Sequence, residues 1–225
     1  MSKVKSFNKG MAKGTLVKSE LIEYENKKTK AKQKFLAMEV DTGDNNKVKA
    51  VVFPTQKNPM KPKEIFDQYP VGSRVDVSGS VQEKEFESKN GNKGIDRSLG
   101  AFSVKMLESD KTMAPFILQG LANKVKEVDG GFEVTIDVDN SYEKDGKTIE
   151  QSDSFTVFVP ESLEDDMEDV VPKCGVKFKG QLLNRLEFDD YGDILGDTRM
   201  FQVEKIEDIV DPDVIAEMEE KPDFI

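Results

Sequence analysis

Histidine is absent from the 225-residue chain, and cysteine occurs once, as Cys174. Without histidine, neither a Ser-His-Asp nor a Cys-His catalytic triad can be assembled. A single cysteine cannot close a disulfide within the chain, and without histidine it cannot build a structural zinc site. A chain with no internal disulfide is typical of a reducing compartment, so we expect a cytoplasmic protein.

Long apolar runs are also missing, since hydrophobic residues make up 36% and charged residues 34% of the chain. No apolar stretch is long enough to span a bilayer, and the opening residues MSKVKSFNKG lack the apolar core of a secretory signal. Tryptophan is absent, but 14 Phe and 4 Tyr provide aromatic volume for packed cores. We therefore expect a soluble, folded protein of one or two domains.

Positive and negative residues are concentrated in different halves of the chain. Residues 1–112 contain 22 Lys and Arg against 15 Asp and Glu, a net charge of +7. Residues 113–225 contain 11 against 29, a net charge of −18. This asymmetry indicates an anionic partner for the first half.

A weak internal repeat relates the two halves. Three pairs of segments keep their order at offsets of about a hundred residues, the size of a typical small domain. The pairs are 51–54 with 157–160 (VVFP, VFVP), 69–79 with 171–180 (YPVGSRVDVSG, VPKCGVKFKG), and 101–108 with 200–207 (AFSVKMLE, MFQVEKIE). Each half is therefore predicted to contain the same series of elements.

Alternating apolar residues predict five strands in each half, with a short helix between the third and the fourth. The predicted strands span 13–24, 34–41, 47–53, 73–86 and 97–107, then 116–127, 131–139, 152–159, 175–188 and 198–207. This is the element order of an OB-fold barrel. The expected fold class is all-β, with two tandem five-stranded Greek-key barrels at 1–112 and 113–210 and an acidic C-terminal tail at 211–225. Asp211 as N-cap and Pro212 at the first position predict one short helix in this tail.

Strand alternation places aromatic and basic side chains together on the outward face of the second and third strands. Phe35 alternates with core residues in the second strand, as do Lys47, Lys49 and Phe53 in the third. This face of an OB barrel binds oligonucleotides, with stacking worth about 1–3 kcal/mol per base and Lys neutralising phosphate. Alternatively, the two phenylalanines lie under a loop or at a domain interface. The matching face of the second half is acidic, so nucleic acid is expected mainly on the first.

Three basic segments outside this face are candidates for wrapping a nucleic-acid strand. They are an N-terminal arm, a lysine-rich linker between the first two strands, and a Gly-containing loop between the fourth and fifth. The candidate residues are Lys3, Lys5, Lys9 and Lys13 in the arm, Lys27, Lys28, Lys30, Lys32 and Lys34 in the linker, and Phe86, Lys89, Lys93 and Arg97 in the loop. For the loop, a solvated hairpin without nucleic-acid contact is an equal alternative.

The segment 72–79 (GSRVDVSG) resembles the corresponding strand of single-stranded DNA-binding proteins. The acidic C-terminus resembles the tip by which such proteins recruit replication and repair partners, and its residues are Glu219, Glu220, Asp223, Phe224 and Ile225. The tandem pattern is more similar to phage-type members than to the bacterial tetramer. The resemblance implies a non-enzymatic, sequence-tolerant protein of DNA replication, recombination and repair, in the host cytoplasm if a phage encodes it. Typical members carry Trp on the binding face, which this chain lacks.

Three other readings stay open. An acidic adaptor or DNA mimic that binds no nucleic acid would account for the −18 half, although the basic half opposes it. A metal-dependent nuclease would need the carboxylates of Asp137, Asp139 or the segment 189–197, whose spacing does not fit an EF-hand and which suit turns. No metal or cofactor is therefore predicted. The sequence does not separate DNA from RNA as the ligand, and it leaves homo-oligomerisation open.

Overall fold

The computed structural model describes residues 6–26, 30–54, 61–87, 93–144, 147–188 and 194–220. The strands are β1 (Phe7–Glu25), β2 (Lys32–Asp41), β3 (Lys47–Val52), β4 (Arg74–Glu87), β5 (Lys93–Met106), β6 (Pro115–Val128), β7 (Gly131–Asp139), β8 (Tyr142–Lys144), β9 (Lys147–Ile149), β10 (Ser152–Pro160), β11 (Gly175–Phe188) and β12 (Ile194–Val210). The helices are α1 (Pro62–Gln68), α2 (Glu164–Met167) and α3 (Pro212–Glu220), and a 3₁₀ turn at Glu161–Leu163 precedes α2. No helix within these ranges has the length and apolar character needed to cross a bilayer.

Contacts divide the chain into two compact units. The first unit contains Lys9–Pro115 and Leu182–Arg199. The second unit contains Phe116–Gln181 and Met200–Ile225, together with the residues up to Asn8. Residues 182–199 lie between the repeat segments 171–180 and 200–207 of the second half, but they pack within the first unit, which a division of the chain at residue 112 does not foresee.

In the first unit, the strand order is β1-β2-β3-β5-β4, and β4 also pairs with β1, which closes the sheet into a barrel. The closing pair is antiparallel, and β3 runs parallel to β5. The helix α1 connects β3 to β4, as predicted, and Pro62 occupies its first turn. The core includes the residues expected from alternation, which are Leu36, Met38, Val40, Val48, Ala50 and Val52.

The second unit repeats this arrangement with the order β6-β7-β10-β12-β11, closed by pairing of β11 with β6. Its core contains the fully buried rings of Phe116, Phe155, Phe178 and Phe201. Between β7 and β10 the chain makes a small extra hairpin, β8–β9, which the pattern of alternating residues did not predict. The first unit has only a short turn at this point.

Two glycines occupy equivalent positions in the two units and so show which residues of the two repeats correspond. Gly14 in β1 and Gly120 in β6 lie where the strand crosses close to the barrel wall. A Cβ would overlap the backbone carbonyl of Asp41 at the first position and of Asp137 at the second. Because only glycine allows this approach, the two sites are equivalent.

This alignment corrects one of the three repeat matches. Strand register pairs Val51 with Ala37 in the first unit and Phe158 with Glu133 in the second. Ala37 lies four residues before Asp41, and Glu133 lies four residues before Asp137, so the two pairs are equivalent. Phe158 therefore occupies the position of Val51. The predicted match of VVFP with VFVP is therefore wrong by one residue, and a slip of one residue exchanges the two faces of a strand.

The acidic C-terminus begins with the predicted helix. The backbone N–H of Asp213 donates to Oδ1 of Asp211 at 2.7 Å, so Asp211 caps α3, and Pro212 takes its first position. Ile215 is 6% exposed. This helix is consequently attached to the second unit through a buried side chain, rather than forming part of a free tail.

Candidate nucleic-acid interface

Three aromatic rings form a cluster on the outer face of the first barrel. The ring centroids of Phe35 and Phe53 are 5.2 Å apart, and the ring of Tyr24 lies 5.7 Å from Phe35 and 6.2 Å from Phe53. All three side chains are partly exposed, whereas the neighbouring Leu36 and Val52 are fully buried. The outward direction predicted for Phe35 and Phe53 is therefore confirmed, and each ring offers part of its surface to solvent.

The β1–β2 hairpin brings these rings together. Its register pairs Ile22 with Phe35 and Tyr24 with Gln33, and it extends one face of the barrel. The Tyr24 hydroxyl donates to Oε1 of Gln33 at 2.8 Å, which fixes the orientation of the ring. Sequence reasoning missed Tyr24, although it alternates with exposed glutamates near the end of the predicted first strand and thus carried the required signal.

The predicted platform lysines are balanced by carboxylates. Lys47 lies directly opposite Asp41, and Lys49 lies opposite Glu39. Lys49 also makes an ion pair with Asp96, with Nζ 2.7 Å from Oδ1. Opposite charges on paired strands stabilise the sheet, so phosphate must compete with these carboxylates for the two ammonium groups.

The lysine-rich linker is partly strand. It was predicted to join the first two strands through residue 34, but β2 begins at Lys32. Lys32 and Lys34 alternate with Phe35 and thus lie on the opposite face of the hairpin. Ion pairs join Lys32 to Glu23 at 3.2 Å and Lys30 to Glu25 at 3.6 Å. A strand stacked on the aromatic rings reaches these lysines only by passing around the hairpin.

The N-terminal arm is strand from Phe7 onward. Lys9 and Lys13 therefore belong to β1. Lys13 is 24% exposed and pairs with Asp76 at 3.2 Å, while Lys9 is exposed. The second part of the predicted arm, with Lys9 and Lys13, is therefore a strand of the barrel and not a free wrapping segment.

Arg97 has a different environment from the one expected for a loop cation. It lies within β5, and its Nε donates to Oε2 of Glu83 at 2.7 Å. The two side chains are only 9% and 12% exposed. Its Nη1 donates to the backbone carbonyl of Arg199 at 2.5 Å. Arg97 therefore connects two parts of the first unit.

The remaining predicted residues cannot be placed. Lys3, Lys5, Lys27, Lys28, Lys89, Asp223, Phe224 and Ile225 lie outside the described residues, as do the side chains of Phe86, Lys93, Glu219 and Glu220. Within the described residues, no three carboxylate or cysteine side chains are grouped so that they could hold a metal ion. The aspartates at 189 and 190 are likewise outside the described part.

In the part of the second barrel that the structure describes, no rings occupy the positions of the aromatic cluster. Register pairs Gly131 with Pro160 at the positions equivalent to Phe35 and Phe53, because the β6–β7 hairpin turns earlier than β1–β2. Asp137 on its outer face accepts hydrogen bonds from Asn123 Nδ2 at 3.0 Å and Ser154 Oγ at 2.5 Å. Loss of the hairpin extension, as well as the acidic side chains, thus distinguishes this face from the first.

A separate lysine cluster in the second unit surrounds Glu207. Its carboxylate lies 2.7 Å from Lys179 Nζ, 2.8 Å from Lys205 Nζ and 3.3 Å from Lys177 Nζ. Hydrogen bonds from these ammonium groups, that of Lys179 above all, lower the pKa of Glu207 from 4.5 to about 2. This carboxylate is therefore ionised at neutral pH.

Comparison with solved structures places the fold among those of single-stranded DNA-binding proteins. The single-stranded DNA-binding protein of Thermus aquaticus has a TM-score of 0.57 at 13% identity, over 90% of this chain and 93% of that one. A deletion mutant of the same protein gives 0.56 at 13% identity, over 90% and 94%. The mitochondrial single-stranded DNA-binding protein of S. cerevisiae covers 45% of this chain at 22% identity, with a TM-score of 0.33.

The likeness to the Thermus protein is one of fold, and it extends over nearly the whole of both chains. No protein-family model matches the sequence. No curated protein matches it either.

Proposed function

We propose that the chain binds single-stranded DNA, without catalysis and without sequence preference, on the outer face of the first barrel. The observation that carries the proposal is the cluster of Tyr24, Phe35 and Phe53, whose rings are partly exposed on an outer sheet face. Clustered rings are usually buried in a core, and an exposed group marks a surface that takes a ligand. Stacking on bases suits such rings because every base has a π-face.

The fold supports the proposal. The single-stranded DNA-binding protein of Thermus aquaticus shares this chain's fold over 90% of its length. Each unit has a five-stranded barrel order closed between its first and fourth strands, so we infer two OB-fold domains, at 1–112 and 113–210. OB barrels bind oligonucleotides on the face of their second and third strands, where Phe35 and Phe53 lie.

Phosphate contacts are proposed for the lysines around the rings. Lys47 and Lys49 point outward on β3 on the side of Phe53, with Lys49 the nearer in sequence, and Lys34 is exposed on the opposite face of the β1–β2 hairpin. Their carboxylate neighbours weaken each contact, so stacking is expected to contribute more of the affinity than charge. The second unit, with its acidic outer face and no equivalent rings, is proposed as a spacer or a protein-docking module.

The C-terminus is proposed to recruit replication, recombination or repair proteins through Glu219, Glu220, Asp223, Phe224 and Ile225, in a phage setting. Its negative charge would compete with DNA phosphate for lysines. Removal of residues 219–225, which carry three side-chain carboxylates and one lysine, is the cleaner test, because Ile215 and most of α3 stay in place. Tighter binding of DNA and loss of partner binding are expected.

The class of ligand is tested by titrating labelled single-stranded DNA, duplex DNA and single-stranded RNA of equal length, each at two salt concentrations. An external label is needed because the chain contains no Trp. Preferential, salt-dependent binding of single strands is expected. Binding of none of the three would refute the proposal and leave the acidic adaptor as the working hypothesis.

A further inference from the structure

Residues 182–199 are held to the first unit by buried, specific contacts. Asn46 is 4% exposed, and its Nδ2 donates to the carbonyl of Leu182 at 3.1 Å while its Oδ1 accepts from the backbone N–H of Asn184 at 2.6 Å. At the other end of the segment, the buried Arg97 donates to the carbonyl of Arg199. Both ends of this segment are thus fixed on the barrel that carries the aromatic cluster.

The contact from Arg97 positions the Arg199 side chain beside a shared carboxylate. Arg199 Nη1 lies 4.0 Å from Asp96 Oδ1, and the same oxygen is 2.7 Å from Lys49 Nζ. The side chains of Arg199, Asp96 and Lys49 are 33%, 33% and 37% exposed. Two cations thus contact one carboxylate at the surface, and both cationic side chains are partly exposed to an anion.

This group continues the face that carries the rings. Lys49 points outward on β3, on the same side as Phe53 four residues later, which corresponds to about 13 Å along a strand. The parallel register places Ser98 beside Lys49, and Asp96 precedes it by two residues on that side. A nucleic-acid strand stacked on the aromatic cluster and running along β3 meets Lys49 and Arg199 next.

We propose that Arg199, supplied by the second half of the chain, is a phosphate-binding residue of the first barrel's nucleic-acid interface, and that Asp96 restrains it together with Lys49. The inference rests on the proposed function. Arg97, which the sequence suggested as a DNA contact, instead acts as a positioning residue that holds Arg199. An arginine offers phosphate a bidentate pair of hydrogen bonds that outcompetes a single carboxylate oxygen at 4.0 Å.

The test compares two substitutions with opposite expected signs in the full-length protein. Arg199→Gln should weaken binding of labelled single-stranded DNA about two- to five-fold, the effect of one exposed charge contact. It should also reduce the salt slope by about 0.7, the contribution of one phosphate on a single strand. Asp96→Asn should tighten binding by a similar factor, because it removes a carboxylate that contacts both cations.

Matched controls come from helix α1 of the same unit. Lys61→Gln and Asp67→Asn remove one exposed charge each from pairs with Glu64 and Lys63. Arg199→Lys keeps the charge but loses the bidentate geometry, so its affinity should lie between those of the wild type and Arg199→Gln. Equal melting temperatures show that the variants are folded.

The outcomes separate the inference from the function on which it rests. If the wild-type protein binds and Arg199→Gln behaves like Lys61→Gln, the inference is overturned and the proposed function stands. A fall in affinity for Asp96→Asn would overturn the restraining role of Asp96. If the wild-type protein binds no nucleic acid, both proposals fail.

Discussion

Replacement of Phe53 by alanine removes one of the three mutually contacting rings of the aromatic cluster. A base stacked on this ring contributes about 1–3 kcal/mol, so the dissociation constant for single-stranded DNA should rise about five- to 150-fold. The structural cost is limited, because Phe53 is partly exposed and its replacement loses two ring contacts worth about 0.5–1.5 kcal/mol each. A domain stabilised by the usual 5–15 kcal/mol remains folded.

Phe66→Ala is the matched control. Phe66 lies on α1 in the same unit and is 37% exposed, but it is not part of the cluster. Binding is measured by anisotropy of a labelled oligonucleotide at fixed salt, and folding is checked by thermal melting. An affinity for Phe53→Ala within two-fold of that for Phe66→Ala would refute the argument that bases stack on this face.

Three further predictions concern stability and the C-terminus. Gly14→Ala should destabilise the protein by about 1–3 kcal/mol in chemical denaturation, because its Cβ would overlap the Asp41 carbonyl; Gly72→Ala, where the added Cβ has open space, isolates the cost of positive φ alone. Glu207 has a folded pKa lowered from 4.5 to about 2, so its contribution to stability is present above pH 4.5 and is lost as the pH falls toward 2. The melting temperature of Glu207→Gln should therefore lie below wild type at pH 7 and converge with it near pH 2, and a constant difference would contradict the lysine cluster as the cause. Removal of residues 219–225, which carry a net side-chain charge of −2, should tighten binding of single-stranded DNA, with the gain diminishing at high salt; unchanged affinity would exclude competition by these residues.

Local periodicity was sufficient to predict the strands of both barrels and the faces of β2 and β3. Alternation decides which side chains are buried, so Phe35 and Phe53 were correctly assigned to the outer face. It also predicted the cap of α3 at Asp211, because capping depends on neighbouring residues only.

Features set by distant residues could not be read from the sequence in this way. Tyr24 joins the cluster only through the β1–β2 register, and Arg97 is buried only because Glu83 lies opposite it in the β4–β5 hairpin. The association of residues 182–199 with the first unit depends on contacts to Asn46, 136 residues away in sequence from Leu182. The one-residue error in the repeat arose because both segments contain adjacent apolar residues, which hide the strand phase.

Tyrosine emission tests the central claim, that bases stack on the aromatic cluster of the first barrel, most directly. Since the chain has no Trp, tyrosine dominates its fluorescence, and Tyr24 is the tyrosine in the cluster. Titration with oligothymidylate should quench the wild-type emission. In Tyr24→Phe the quenching should be largely lost while affinity stays within about two-fold, because phenylalanine also stacks. Equal fractional quenching in the variant, or tight binding with no quenching in the wild type, would contradict the account.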